Sequence, residues 1–165
     1  MPDYRQSEHL ILDGYNLIHA FPELRKVLKD HGSSVARERF KEEVSCLHEP
    51  GRVRLTIVYD GQGGEVEVEQ PLPDDPGFAI VYSPSGVSAD EVIERFVANS
   101  STPGRVLVAT KDLAIAQTFA TVGAFTLTPA DLRARIDRIL GENGRVMEQV
   151  RRATRREWPT NPFQD

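Results

Sequence analysis

Short runs of aliphatic and β-branched residues alternate along the chain with stretches whose apolar positions recur every three or four residues. Alternation of a two-residue period with a 3.6-residue period is the signature of parallel βαβ units. A first strand is predicted over residues 9–13, with a loop behind it through Asn16. Pro22 suits the first turn of a short helix carrying Leu24, Val27 and Leu28 on one face. Ser34 can cap a second helix from Val35 to about His48, with Phe40, Val44 and Leu47 inward, which Glu49-Pro50-Gly51 stops. Val53 to Tyr59 reads as the second strand. Residues 61–77, rich in Gly, Pro and acids, hold at most a short edge strand from Glu65 to Val68. Phe78 to Tyr82 is the third strand, and Ser83 to Val87 turns the chain. Ser88 caps a helix with Val92, Ile93, Phe96 and Val97 inward. Arg105 to Ala109 is the fourth strand. A helix from about Leu113 carries Ile115, Phe119 and Val122 and ends at Gly123. Ala124 to Leu127 makes a fifth strand. Thr128-Pro129 opens a helix through Leu140, with Glu142-Asn143-Gly144 as a break before a final basic helix and an extended tail from Trp158.

A chain of 165 residues, 39% hydrophobic and 27% charged, can bury one core and hardly two. A single α/β domain over residues 1–165 is therefore expected. The lone cysteine, Cys46, excludes an internal disulfide and points to a reducing compartment. It lies in the apolar pattern around Phe40, Val44 and Leu47, which favours packing over reactivity. No apolar run approaches the about 20 residues of a membrane span, and the first residues are too polar for a signal peptide. A cytoplasmic protein without membrane contact is expected. The net charge of −5 argues against whole-surface attraction to nucleic acid, but residues 131–157 hold eight arginines against five acids. A basic appendage on an acidic body suits a nuclease, because local charge outweighs the total; a solvated helical face accounts for it equally well.

Four aspartates change the picture from fold to chemistry. Asp13 closes the first strand in Asp13-Gly14-Tyr15-Asn16, Asp60 closes the second, and Asp112 follows the fourth within Thr110-Lys111-Asp112. Asp90 stands one short loop beyond the third strand, with Glu94 on the same helix face one turn later. In open parallel sheets the carboxyl edge is where ligands bind. Carboxylates gathered in one small space repel unless a cation neutralises them, and hard oxygen ligands select Mg²⁺ or Mn²⁺. Each acid also has a plainer reading. Asp13, Asn16 and Asp60 are turn formers at strand ends, Asp90 and Glu91 suit a helix dipole, and Asp112 can cap a helix. Taken together, at successive strand ends, they favour a common site.

The ordered set Asp13-Gly14-Tyr15-Asn16-Leu17-Ile18, Val58-Tyr59-Asp60-Gly61, Ala89-Asp90-Glu91-Val92-Ile93-Glu94 and Ala109-Thr110-Lys111-Asp112 resembles the YacP-like NYN family. These are PIN-like ribonucleases of bacteria, a group that includes a ribosome-associated endoribonuclease. The resemblance spans roughly residues 9 to 140. It implies a PIN-like three-layer α/β/α sandwich with a central, mainly parallel sheet, and arginine-rich helices over about 129–157. It further implies a metal site of Asp13, Asp90 and Asp112 using Mg²⁺ or Mn²⁺, with Asn16 beside it. Asp60 and Glu94 are outer-shell candidates. Two departures stand out: Lys111 precedes the last aspartate where a small polar residue is usual, and Gly61 follows Asp60 where alanine is commoner.

The activity so implied is metal-dependent endonucleolytic cleavage of single-stranded RNA, with mRNA and the ribosome as expected partners. Tyr15, Lys111, Arg151, Arg152 and Arg155 are the candidate RNA contacts, and Tyr82 a further stacking platform. The alternative within the same fold is an inactive RNA- or ribosome-binding module, which Lys111 supports. A phosphatase is disfavoured, because Asp13 lacks a second acid two residues on. A dinucleotide-binding domain is weaker still, since no G-x-G-x-x-G follows the first strand. His9, His19, His31 and His48 are scattered, are expected on the surface, and match no zinc spacing.

Overall fold

The computed structural model describes the backbone of residues 2–157 and the side chains of residues 2–144 and 149–153. The strands are β1 (Glu8–Asp13), β2 (Val53–Tyr59), β3 (Glu67–Glu69), β4 (Phe78–Tyr82), β5 (Val106–Ala109) and β6 (Phe125–Leu127). The helices are α1 (Gly14–Ala20), α2 (Pro22–His31), α3 (Ser33–Val44), α4 (Ala89–Asn99), α5 (Leu113–Thr121) and α6 (Pro129–Glu157). The six strands make one sheet in the order β3-β4-β2-β1-β5-β6, parallel except for the edge strand β3. From β1 the chain winds outward through β2 and β4, then crosses back to β5 and β6. The strand order therefore reverses between β1 and β5, and a crevice opens at such a reversal at the carboxyl ends of the strands.

Side-chain alternation along each strand sorts the core into two layers. Leu10, Leu12, Leu55, Ile57, Tyr59, Phe78 and Ile80 face α1, α2, α3 and α6, where Leu17, Leu24, Phe40 and Ile136 meet them. Ile11, Val58, Val81, Val106 and Val108 face α4 and α5, against Val92, Ile93, Val97 and Phe119. Asp13, two residues after Ile11, thus belongs to the α4/α5 side. The expected three-layer α/β/α sandwich is what forms. Among the described residues no helix is long and apolar enough to cross a membrane.

Several boundaries differ from the sequence expectation. Residues 14–16 are the first turn of α1 rather than a loop, because Gly14, Leu17 and Ile18 supply a buried face. Gly32, at φ 89°, breaks the chain before Ser33, so Ser34 lies inside α3 and caps nothing. That helix ends at Val44, and a single 3₁₀ turn over Ser45–Leu47 follows. The edge strand begins two residues late, with Val66 and Val68 both exposed. Arg105 closes a 3₁₀ turn before β5, and Val122 lies past the end of α5, exposed. The expected break at residues 142–144 is absent, and α6 runs unbroken to Glu157. Neither Gly141 nor Gly144 takes positive φ, and a helical glycine without proline costs only about 1 kcal/mol. His9 and His48 are not surface residues. His9 bonds Thr56 Oγ1 at 2.8 Å, while His48 Nε2 lies 2.9 Å from the Tyr4 hydroxyl and 3.2 Å from Asp75. His19 and His31 are exposed as expected. The tail from Trp158 lies outside the described residues.

Candidate active site

Asp13 is the last residue of β1 and, at 7% exposure, a buried carboxylate at the reversal point of the sheet. The chain leaves it directly into α1, and Gly14 is what allows this. A Cβ at Gly14 would lie 2.2 Å from Cε1 of Tyr59, a ring that is fully buried. Asn16, in the first turn of α1, reaches across to the segment after β5. Its Oδ1 accepts from the backbone N–H of Lys111 at 2.6 Å and from Thr110 Oγ1 at 3.1 Å. Because the Lys111 amide can only donate, the atom facing it must be the carboxamide oxygen. Asn16 therefore ties the two strand ends together instead of addressing Asp13. Thr110 completes the tie: its hydroxyl lies 3.4 Å from Asp13 Oδ2 and accepts from the Asp112 N–H at 3.2 Å.

The opposite rim is built around Asp60. Its Oδ1 accepts from the N–H of Ala89, the first residue of α4, at 2.8 Å. Ser88 caps the same helix through the Glu91 N–H. Asp60 thus pins the helix start that presents Asp90, and is more than a turn former. The glycine after it is also explained. A Cβ at Gly61 would stand 2.1 Å from the carbonyl oxygen of Ser83, so alanine does not fit this backbone. Asp112 caps α5, its Oδ1 accepting from Ala114 N (3.0 Å) and Ile115 N (3.3 Å).

The acids feel one another. Burial, then the charge of Asp90 and a hydrogen bond with it, then the charge of Asp60, push the Asp13 carboxyl up to about 7; Thr110 pulls slightly the other way. Asp90 is also raised, first by burial and further by the charges of Asp60, Asp112 and Glu94, while its bond with Asp13 lowers it. Asp13 therefore keeps its proton to a higher pH than an ordinary carboxyl. Asp13, Asp60, Asp90, Asp112 and Glu94 thus belong to one electrostatic neighbourhood. Among the described residues no three His, Cys, Asp or Glu side chains already form a cation cage. The donor chemistry nevertheless fits a hard divalent ion: the neighbourhood offers carboxylate oxygens, whose mutual repulsion a cation would relieve.

The other candidate residues are dispersed. Lys111 is exposed on the β5–α5 turn. The Tyr15 ring turns back over Tyr59, centroids 4.8 Å apart, and its hydroxyl accepts from Arg37 at 2.6 Å. Tyr82 also stacks on Tyr59, centroids 5.6 Å apart. Arg135 already pairs with Glu8 at the amino end of β1. Arg151 stands sixteen residues further along α6, about 24 Å at the rise of an α-helix. Arg152 lies beside it, exposed, and the Arg155 side chain lies outside the described residues. Sequence reasoning quoted Thr110 and Tyr59 only within longer motifs and passed over Arg37. Tyr59 follows the inward register of Leu55 and Ile57, a signal that was legible. Its hydroxyl is buried with no hydrogen-bond partner among the described residues, so Tyr59→Phe should leave the thermal midpoint unchanged or slightly raised. A drop of several degrees would reveal a partner for that hydroxyl.

The chain resembles solved structures of one protein. A crystal structure of a tryptophan-to-leucine mutant of Rae1 (YacP) from Bacillus subtilis is 25% identical, with a TM-score of 0.65, over 88% of this chain and 82% of that one. A second Rae1 (YacP) structure from Bacillus subtilis, at 22% identity, has a TM-score of 0.63 over 90% of this chain and 82% of that one, and speaks for the fold alone. No curated protein matches the chain. The architecture is PIN-like, as expected. The family model for the YacP-like NYN domain matches residues 10–164, and the chain belongs to that family.

Proposed function

We propose that the chain is a metal-dependent endoribonuclease hydrolysing phosphodiester bonds in single-stranded RNA, with mRNA on the ribosome as its setting. Family membership and the likeness to Rae1 (YacP) support an RNase-type domain. The observation that carries the finer reading is the buried Asp13 carboxylate at the reversal point of the sheet, linked through Thr110 to Asp112 and flanked by Asp60, which pins the start of α4 beside Asp90. Bound Mg²⁺ or Mn²⁺ would supply an acidified water and neutralise charge building on the phosphate. Asp13 and Asp90 would hold the ion, and Asp112 would join them directly or through water, an allotment suited to a cation that takes few protein carboxylates. Asp60 and Glu94 would orient outer waters. Asn16 ties the turn after β1 to the segment after β5, where Thr110 links the Asp13 carboxylate to the Asp112 N–H. Lys111 would meet a phosphate oxygen of the strand. An exposed sheet edge favours single-stranded RNA, whose flexible backbone can settle against it.

The proton on Asp13 sets the pH dependence of loading. It must leave before the ion enters, so Mn²⁺ affinity should rise with pH until about 7 and then level off. Calorimetric titrations between pH 5.5 and 8 check this, and an affinity flat across that range would contradict it.

A second reading, a passive RNA-binding module, is favoured by one feature: Asp112 Oδ1 is already committed to capping α5. Incubating end-labelled single-stranded RNA with Mn²⁺ and the native, Asp13→Asn or Asp112→Asn protein separates the two. Metal-dependent internal cuts, abolished in the first variant and reduced in the second, support the nuclease. Binding without cutting at every metal concentration establishes the passive module.

A further inference from the structure

Resting on the nuclease reading, we propose that Arg37 is an RNA-binding residue that grips a phosphate of the strand next to the linkage being cut. Arg37 sits on α3, half-buried. Two nearby arginines of α6 are neutralised by carboxylates, Arg133 by Glu43 and Arg135 by Glu8. Among the described residues Arg37 has no carboxylate within ion-pair distance; a single N–H is engaged, with the Tyr15 hydroxyl. Its guanidinium lies 6.0 Å from the Tyr59 ring centre and 5.7 Å from that of Tyr82. A guanidinium partly withdrawn from water without a counter-charge is costly unless something anionic completes it. The two rings flank the group, one N–H donates to Tyr15, and no other hydrogen bond engages the remaining N–H groups among the described residues. The planar edge of a guanidinium matches two phosphate oxygens.

Position makes the acceptor an RNA phosphate. Tyr59 and Tyr82 are the last residues of β2 and β4, and Tyr15 lies in the turn off β1, so Arg37 stands at the same sheet edge as the acids. By strand alternation Asp13 and Asp60 face the α4/α5 side, while Tyr59 and Tyr82 face the side of α1–α3. A strand laid over the edge would meet the aspartates on one flank and Arg37 on the other, where Glu69 beside Tyr82 is the neighbouring carboxylate. The acidic flank repels a polyanion, and Arg151 and Arg152 stand sixteen and seventeen residues beyond Arg135 on α6. A cation at the Arg37 flank answers that repulsion and fixes where the backbone crosses.

The test measures binding apart from cutting. In an Asp13→Asn background, anisotropy of a labelled single-stranded RNA is followed for Arg37, Arg37→Gln and Arg37→Lys proteins, with a neutral methylphosphonate moved one linkage at a time. Arg37→Gln should weaken binding about tenfold and make the salt dependence shallower by about 0.7 in slope; Arg37→Lys should keep the slope and lose part of the affinity. One methylphosphonate position should weaken the Arg37 protein by a similar factor and leave Arg37→Gln indifferent. A purely structural arginine would not produce that coupling. Equal sensitivity of both proteins at every linkage overturns the inference, while cutting by the native chain would leave the nuclease reading standing. Arg37-dependent binding without cutting upholds the contact and removes the nuclease. Absence of RNA binding by every protein removes both. If Arg37→Gln fails to fold, the comparison of Arg37 with Arg37→Lys in the same scan decides.

Discussion

Asp13→Asn is expected to slow RNA cleavage about a thousandfold, equivalent to about 4 kcal/mol of barrier. Asparagine keeps the shape and can still meet Thr110 and Asp90, but it cannot carry the charge that would draw a cation to the edge. The fold should survive, and above neutral pH the metal-free variant should be more stable than the native protein. The sign follows from linkage. In the folded chain the Asp13 carboxyl titrates near 7, well above its unfolded value, so its favourable contribution is intact below about pH 4 and is lost as pH rises towards 7. A rise of that size corresponds to about 4 kcal/mol at most, and the interaction with Asp90 makes the real figure smaller. Single-turnover cleavage and a thermal melt in chelator check the two halves. Full cleavage by Asp13→Asn would end the proposed role of this residue.

His9 contributes an opposing slope. Burial, helped by the charge of Arg54, holds the ring down at about 4, so its contribution is complete above about pH 6.5 and lost as pH falls towards 4. Between pH 4 and 6.5 the two effects oppose, and the native, metal-free protein should show a shallow stability profile. Removing one partner exposes the other. Asp13→Asn should gain stability with rising pH across that window, and His9→Gln should lose it. Melts at half-unit intervals decide the matter; parallel profiles for the three proteins would refute the pairing.

The second large effect belongs to Gly14→Ala. The new methyl would stand 2.2 Å from a fully buried Tyr59 ring that packs against Tyr15 and Tyr82, with Arg37 over it. Nothing there can retreat cheaply, and overpacking of this kind costs about 3 kcal/mol. Because Gly14 adjoins Asp13, the displacement should also carry the carboxylate off the edge, so cleavage should fall together with the melting temperature. Tyr59→Ala in the same chain opens space for the methyl. The double variant should therefore be less destabilised than the sum of its parts. Strict additivity would place the strain elsewhere.

Strands β2 and β4 were legible residue for residue, because uninterrupted β-branched and aromatic runs end abruptly at Asp-Gly and Ser-Pro. The acids were legible as a set, since a parallel sheet brings its carboxyl ends to one edge whatever the loops do. Hidden from the sequence was the division of labour among them. Asp60 and Asp112 look equivalent on paper, yet one pins α4 and the other caps α5. Asp-Gly-Tyr-Asn carries only turn formers and an aromatic, so α1 could not be told from a loop. The arginine excess after residue 131 was plain, but its direction depends on an unbroken α6 leaving the sheet at the end opposite the acids. Arg37 was invisible, one charge in Ala36-Arg37-Glu38-Arg39, until tertiary packing set it over two tyrosine rings from distant strands.

The most direct test is anomalous scattering from a crystal soaked in Mn²⁺. A cation peak within coordination distance of Asp13 and Asp90 oxygens, absent from the Asp13→Asn crystal under the same soak, is the predicted result. A chain that cuts RNA while its manganese sits elsewhere, or that cuts fully in chelator, would contradict the account.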